Sequence, residues 1–203
     1  MENYRPSRKD IKAETTKRRD WTQSDIEKVR ALGDFDDPIF ALWFLCLHHG
    51  TRVEELPSSC VRQLDLDAET FTIEDGKNEA SEDVMPMHRA TVDTFQRLTE
   101  NKIAGGNLLG LRPDAKGDCS GNVVKRAGRW VRKHITADPS LTIYHSSRHT
   151  LATRLEEAGV EPHLIKRVER HALQDDTFGR FSMGPGLKRL GLALNRVDFG
   201  FGL

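Results

Sequence analysis

The stretch YHSSRHTLATRLEEAGV, residues 144–160, places an arginine at the head of the apolar stripe of a helix. At helical spacing Arg148 shares a face with Leu151, Ala152 and Leu155, and such a face turns inward. His145 stands one turn before the arginine and His149 beside it. The start of a helix carries unsatisfied N–H groups and partial positive charge, so it attracts anions. A guanidinium there adds a planar fork of donors suited to phosphate or carboxylate. The competing explanation for one such arginine is a buried ion pair with a core carboxylate.

A second arginine shifts the balance. HHGTRVEEL, residues 48–56, sets Arg52 just after a hydrophobic helix and a glycine, with Glu55 and Leu56 continuing a short helical turn. Two arginines beside the core can converge on one phosphodiester. Lys77 lies at the tip of an expected hairpin, where a lysine could reach a leaving oxygen, and His171 closes a helix over 161–170 with Arg170 before it. In segment 120–135, Val123, Ala127, Trp130 and Val131 form an apolar stripe while Arg126, Arg129 and Lys133 line another. A basic face of this kind suits a DNA backbone, because neutralised phosphates release condensed counterions; solvated surface is the plainer alternative. His145 and His149, four apart, also have zinc-ligand spacing. The general-base glutamate of H-E-x-x-H is replaced by Ser146, and a third ligand would have to come from His48 or His171, so the metal reading ranks second.

These residues need positioning elements. A helix begins at WTQSDIEKV, capped by Thr22 or Ser24 and carrying Ile26, Val29 and Leu32. A second, over 37–49, is apolar nearly all round and belongs at the centre of the core. The period then changes: Val61, Leu64 and Leu66, next Phe71 and Ile73, next Val84, Met85 and Met87 predict three short antiparallel strands. Asp67-Ala68 and EDGKNEASE form the turns between them. Helical patterns return at 89–103, 120–135, 144–160, 161–171 and 184–197, with 104–119 as a loop. The fold class is α+β, mainly α, with residues 1–20 as a basic N-terminal arm or linker and 21–203 as one domain. The formal net charge is zero, so no global field marks an acidic partner. Three scattered cysteines and no apolar run long enough to span a bilayer place the chain in a reducing, cytoplasmic setting.

Taken together the residues resemble the tyrosine recombinases, or phage integrases. G-x-R-x-x-E-L reads as Gly50, Arg52, Glu55 and Leu56; the hairpin lysine as Lys77; H-x-x-R-H-T as His145, Arg148, His149 and Thr150; the last histidine as His171. The resemblance covers residues 20–198 and implies that family's catalytic-domain fold with its small three-stranded antiparallel sheet. It implies that Arg52, Arg148 and His171 clamp the non-bridging oxygens of a scissile phosphate. Lys77 would protonate the departing 5′ oxygen, and His145 would manage the nucleophile's proton or brace the phosphate. Glu55 would orient Arg52, with His149 in support. No metal or cofactor is implied, because a 3′-phosphotyrosyl intermediate conserves the bond energy. The implied partners are double-stranded DNA and further copies of the chain, a tetramer on DNA, at the nucleoid of a bacterial or phage-infected cell. Members of the family carry an additional N-terminal helical domain; nothing before Trp21 is long enough for one, so the expectation is an excised catalytic domain or a minimal recombinase. The C-terminal helix with Leu187, Leu190 and Leu194 is expected to pack on its own domain, and in the family such a tail can also dock on a neighbour.

Two positions depart from the pattern. The nucleophilic tyrosine belongs at 181, where this chain has Phe181, and its two tyrosines, Tyr4 and Tyr144, both precede Arg148. Phenylalanine keeps the ring and removes the hydroxyl, so packing is preserved and attack is abolished. Either the residue is an engineered Tyr→Phe substitution, which the otherwise intact set favours, or the chain is a natural non-catalytic DNA-binding protein of recombinase ancestry. Ser182 is a poor substitute, pointing elsewhere if Phe181 fills the tyrosine slot. The second departure is Arg170, where the family usually has glycine.

Overall fold

The computed structural model describes residues 17–52, 54–74, 82–115, 117, 119–170 and 186–201. Among them the chain runs through α1 (Gln23–Leu32), α2 (Pro38–His49), α3 (Glu55–Ser58), a 3-10 turn (Val61–Gln63), β1 (Leu64–Asp65), β2 (Thr70–Glu74) and β3 (Glu82–Pro86). A second 3-10 turn (Arg89–Thr91) leads to α4 (Val92–Thr99), α5 (Ser120–His134), α6 (Tyr144–Glu157), α7 (Pro162–Val168) and α8 (Leu187–Leu194). This is the expected mainly helical α+β architecture with one antiparallel sheet in the order β1-β2-β3.

α2 is the axis of the molecule. Asp37 accepts a hydrogen bond from Ile39 N at 2.8 Å and Pro38 presets the first turn, so the helix starts cleanly. Every residue from Ile39 to His49 is buried, and α6 and α5 pack against it. Trp21 from the N-terminal side and Phe201 from the C-terminal side both meet Trp43 edge-on, at 5.4 and 5.8 Å between ring centres. α1 opens with a full capping box between Thr22 and Asp25, a device that stabilises a helix by roughly 1 kcal/mol. Ahead of it, Arg18 donates to Pro139 O at 2.8 Å, and Arg19 bridges Asp25 and Asp138, both at 2.7 Å. Residues 18–25 are thereby fastened to the segment that leads into α6.

Strand β2 alternates as its sequence predicts, with Phe71 and Ile73 buried and Thr70 and Thr72 half-buried. It pairs Leu64 with Phe71 on one side and Phe71 with Met85 on the other. The first strand is shorter than expected. Val61 N donates to Gly106 O at 3.0 Å and Arg62 N to Ala104 O at 2.7 Å, so the 104–107 loop draws Val61 and Arg62 into a 3-10 turn. The helix expected over 89–103 likewise resolves into a 3-10 turn and then α4, and beyond it Asn101 turns left-handed at φ 59. Arg167 grips Asp83 with both terminal nitrogens, Nη1 at 2.9 Å, and so ties α7 to β3, while α8 packs on both. In α8 Leu190 and Leu194 are buried as anticipated, but Leu187 is exposed.

Candidate active site

Gly50 ends α2 in the left-handed region, at φ 57 and ψ 33. A Cβ on it would sit 3.2 Å from Leu151 Cδ2 and 3.7 Å from Arg148 Cγ, so only glycine lets α2 finish this close to α6 without strain. The Gly50 carbonyl then accepts a hydrogen bond from Arg148 Nη1 at 2.8 Å. The chain turns through Thr51, whose hydroxyl pairs with the Cys46 thiol at 3.2 Å, and reaches Arg52 just before α3. There the Glu55 carboxylate accepts from the Arg52 backbone N–H, with Oε1 3.8 Å from Arg52 Nη1.

The other wall comes from the end of α7. Glu169 follows Val168, and Arg170 adopts φ 52, the left-handed value usual for a residue just past a helix end. This turn presents two consecutive carbonyls. Glu169 O accepts from Arg148 Nη2, and Arg170 O accepts from Arg52 Nη2 at 2.9 Å. The Glu169 carboxylate lies 3.6 Å from Arg148 Nε. The two arginines singled out in the sequence are therefore brought together by one pair of backbone turns, at Gly50 and at Glu169–Arg170. Arg148 is the deeper, with 13% of its side chain exposed against 44% for Arg52. Burial lowers the Arg148 guanidinium from its ordinary value; the charges of Arg170 and Arg52 act the same way, while Glu169 and Glu55 oppose them. Each guanidinium has five N–H donors, so both retain donors beyond these carbonyl bonds.

The remaining expected residues are distributed as follows. His145 is exposed in the first turn of α6. His149 engages Asp20 through Nδ1 at 2.5 Å, and Asp20 also accepts from the Thr153 hydroxyl at 2.9 Å. That pair fastens the segment before α1 to α6 rather than joining the arginines. Thr150 adds to the same fastening, accepting from Trp21 N at 2.8 Å. Arg126, Arg129 and Lys133 all stand exposed on α5, whose Val123, Ala127 and Val131 are buried. With Arg112 and Lys125, Arg126 and Arg129 line a cleft of about 520 Å³ with no acidic residue among the described residues of its wall. Pro38 also lines it, so the cleft meets the first turn of α2 while the arginine pair sits at the last. Lys77, His171 and Phe181 lie outside the described residues, as do Ser182 and most of the basic arm. Among the described residues no group of three or more His, Cys, Asp and Glu side chains is placed to hold a metal ion. Nor is any of their helices long and apolar enough to cross a membrane.

Arg170 is the contact that sequence reasoning missed. Its guanidinium is buried and forks onto Glu55, through Nε at 3.3 Å and through Nη2. The available signal was a cation standing where glycine is usual, in a chain whose Glu55 must be buried beside the core.

Comparison with known proteins agrees with this fold. Residues 35–178 match the profile of the phage integrase family. No match is found among curated proteins. Among solved structures, the integrase from mycobacterium phage Brujita superposes with a TM-score of 0.70 at 20% identity, over 98% of this chain and 62% of that one. XerA recombinase gives 0.61 at 16% identity, over 90% and 66%. A tyrosine-to-phenylalanine variant of the Tn1549 transposon integrase, in complex with transposon right end DNA, gives 0.55 at 21% identity, over 78% and 59%. The chain thus spans less than two thirds of the length of each of these structures.

Proposed function

The chain belongs to the phage integrase family, and on that premise we propose that it is the catalytic domain of a site-specific recombinase that acts on double-stranded DNA. The observation that carries the reading is the pairing of Arg52 and Arg148 by the carbonyls of Gly50, Glu169 and Arg170. Neutral carbonyls orient the two guanidinium groups without cancelling their charge. A phosphodiester seated between them would meet two forks of donors already in place, which favours the charge-rich transition state of phosphoryl transfer. Glu55 braces the backbone of Arg52, and exposed His145 on α6 is the candidate for handling a proton or bracing the phosphate. By the family pattern His171 completes the clamp and Lys77 protonates the 5′ oxygen as the strand breaks. The residue at 181 supplies the nucleophile when it is tyrosine, forming the 3′-phosphotyrosyl bond as the P–O5′ bond is lost.

As its sequence stands, Phe181 has no oxygen with which to attack, so this chain holds DNA without cutting it. The basic face of Arg126, Arg129 and Lys133 and the cleft beside it would track the flanking backbone. Residues 1–20 would serve as an arm or linker and 21–203 as the catalytic unit, assembling as a tetramer on nucleoid DNA. The second reading, a natural DNA-binding protein that has lost catalysis, is favoured by the identity of residue 181 alone.

One experiment tests both. A duplex enriched from a randomised pool by binding to this chain is nicked next to the presumed cleavage point and offered to Phe181→Tyr. A covalent protein–DNA adduct that disappears with Arg148→Ala supports the recombinase reading. Salt-sensitive binding with no adduct leaves the DNA-binding reading. A chain that enriches no duplex refutes both.

A further inference from the structure

We propose that Arg170 is a positioning residue: by occupying the Glu55 carboxylate it keeps the Arg52 guanidinium uncancelled and available to a phosphate. The proposal deepens the phosphate-clamp reading above and rests on it for the identity of the anion.

The argument starts from Glu55. It lies three residues after Arg52, a spacing at which acid and base pair by default. Its side chain is only 7% exposed, so the carboxylate must find a cationic partner or stay costly in place. Arg52 Nη1 is nevertheless held 3.8 Å from it, beyond hydrogen-bond reach. Arg170, itself 5% exposed, takes both carboxylate oxygens in a two-pronged grip. Its remaining donors are used locally, Nη1 on Val168 O at 3.1 Å and Nη2 reaching Gly50 O at 3.5 Å. Among the described residues three arginines, 52, 148 and 170, face two carboxylates, Glu55 and Glu169. With Arg170 on Glu55 and Glu169 beside Arg148, the surplus positive charge among these groups resides on Arg52, more exposed than Arg148.

Two functions of residue 170 separate cleanly. Its main chain, at φ 52, aims the carbonyls of Glu169 and Arg170 at the two clamp arginines, and glycine would hold that conformation more easily. Its side chain alone neutralises Glu55. Arg170→Gly therefore keeps the first function and removes the second. The freed carboxylate then draws Arg52 inward and cancels its charge.

The test uses the whole chain with arginine side chains labelled with 15N and inorganic phosphate as the probe. Arg170→Gly is expected to move the Arg52 Nε–H resonance towards an ion-paired position before any phosphate is added. Phosphate affinity should fall about tenfold, the scale of losing one nearby unit charge in a partly screened site. Glu55→Gln added to Arg170→Gly should restore affinity to within about twofold. A merely structural residue would not be rescued by neutralising its partner. Unchanged affinity and an unmoved Arg52 signal in Arg170→Gly overturn the proposal, as does failure of Glu55→Gln to rescue. Should Arg170→Gly not fold, Glu55→Gln alone decides: it leaves more positive charge at the site and must tighten phosphate binding, and weaker binding overturns the proposal. If the unaltered chain binds no phosphate, the clamp reading fails, and the phosphate-free Arg52 resonance in Arg170→Gly or Glu55→Gln still decides the role of Arg170.

Discussion

Acidification should unlock the core from beneath the arginine pair. His48 and His49 are the last residues of α2, His88 faces them, and all three rings are buried. Their hydrogen bonds fix neutral tautomers. His88 donates from Nε2 to Val197 O at 3.0 Å because its Nδ1 already accepts from Ala90 N. The Thr91 hydroxyl donates to His88 O, so His49 Nε2 must be the donor to it, at 3.0 Å. His49 Nδ1 is then a bare, buried lone pair with no hydrogen-bond partner among the described residues. Burial pushes the His48 ring from 6.5 down to about 3, with the neighbouring His88 adding to the effect. His49 and His88 are lowered as well, again chiefly by burial.

Depressed folded values mean that the unfolded chain binds these protons first. The stabilisation is full above 6.5 and is lost as pH falls from there towards the folded values. For His48 alone, 6.5 unfolded against about 3 folded gives a loss of roughly 2 kcal/mol at about pH 5. The other two rings add to it in the same direction. Asp25 and Asp138 also sit below their ordinary 3.8, but their contributions are lost only at lower pH, so the window above about pH 5 isolates the histidines. Urea unfolding followed by the fluorescence of buried Trp21 and Trp43 measures the effect. Stability at about pH 5 should fall by at least 2 kcal/mol relative to about pH 7, a large share of a typical domain's total. Equal stability at the two pH values would refute the assignment of neutral, buried rings.

Gly50→Ala forces a side chain into a left-handed turn 3.2 Å from Leu151, and should cost roughly 1–2 kcal/mol in urea unfolding while weakening phosphate binding at Arg148. Changing Arg126, Arg129 and Lys133 together to Gln should reduce the slope of log affinity against log salt for duplex DNA by up to about 3, since each phosphate contact contributes about 0.9. A slope unchanged in that triple variant would leave the α5 face as ordinary solvated surface.

The helices were legible wherever periodicity and caps agreed. Thr22, one of the two expected caps, does open α1, and the all-apolar run of α2 announced the centre of the core. Where backbone bonding from a distant loop decided the outcome, the pattern misled. Val61 has the right apolar spacing for a strand, yet its N–H is taken by Gly106 O. At the site, residue types were readable and partners were not. Arg52 and Arg148 stood out as cations beside apolar stripes, and the structure joins them. His149 also stood out, but it serves Asp20, a residue 129 positions away that no local pattern marks. Arg170 looked like a defect because its value lies in a long-range partner, Glu55, 115 positions distant.

The arginine pair owes its orientation mainly to backbone carbonyls, a choice with an electrostatic consequence. A carboxylate that positions a guanidinium also cancels its charge, whereas a carbonyl offers lone pairs and no net charge. The carbonyls of Gly50, Glu169 and Arg170 hold Arg148 and Arg52 without adding negative charge to the site. The geometry depends on two left-handed residues, Gly50 and Arg170, because their turns aim the carbonyls. Only at Gly50 does a neighbouring side chain also demand glycine. At position 170 a side chain is sterically allowed, and the chain uses that freedom to hold Glu55. The buried carboxylate of Glu55 is thus answered by a third arginine, and among the described residues the site retains one more cation than it has acids.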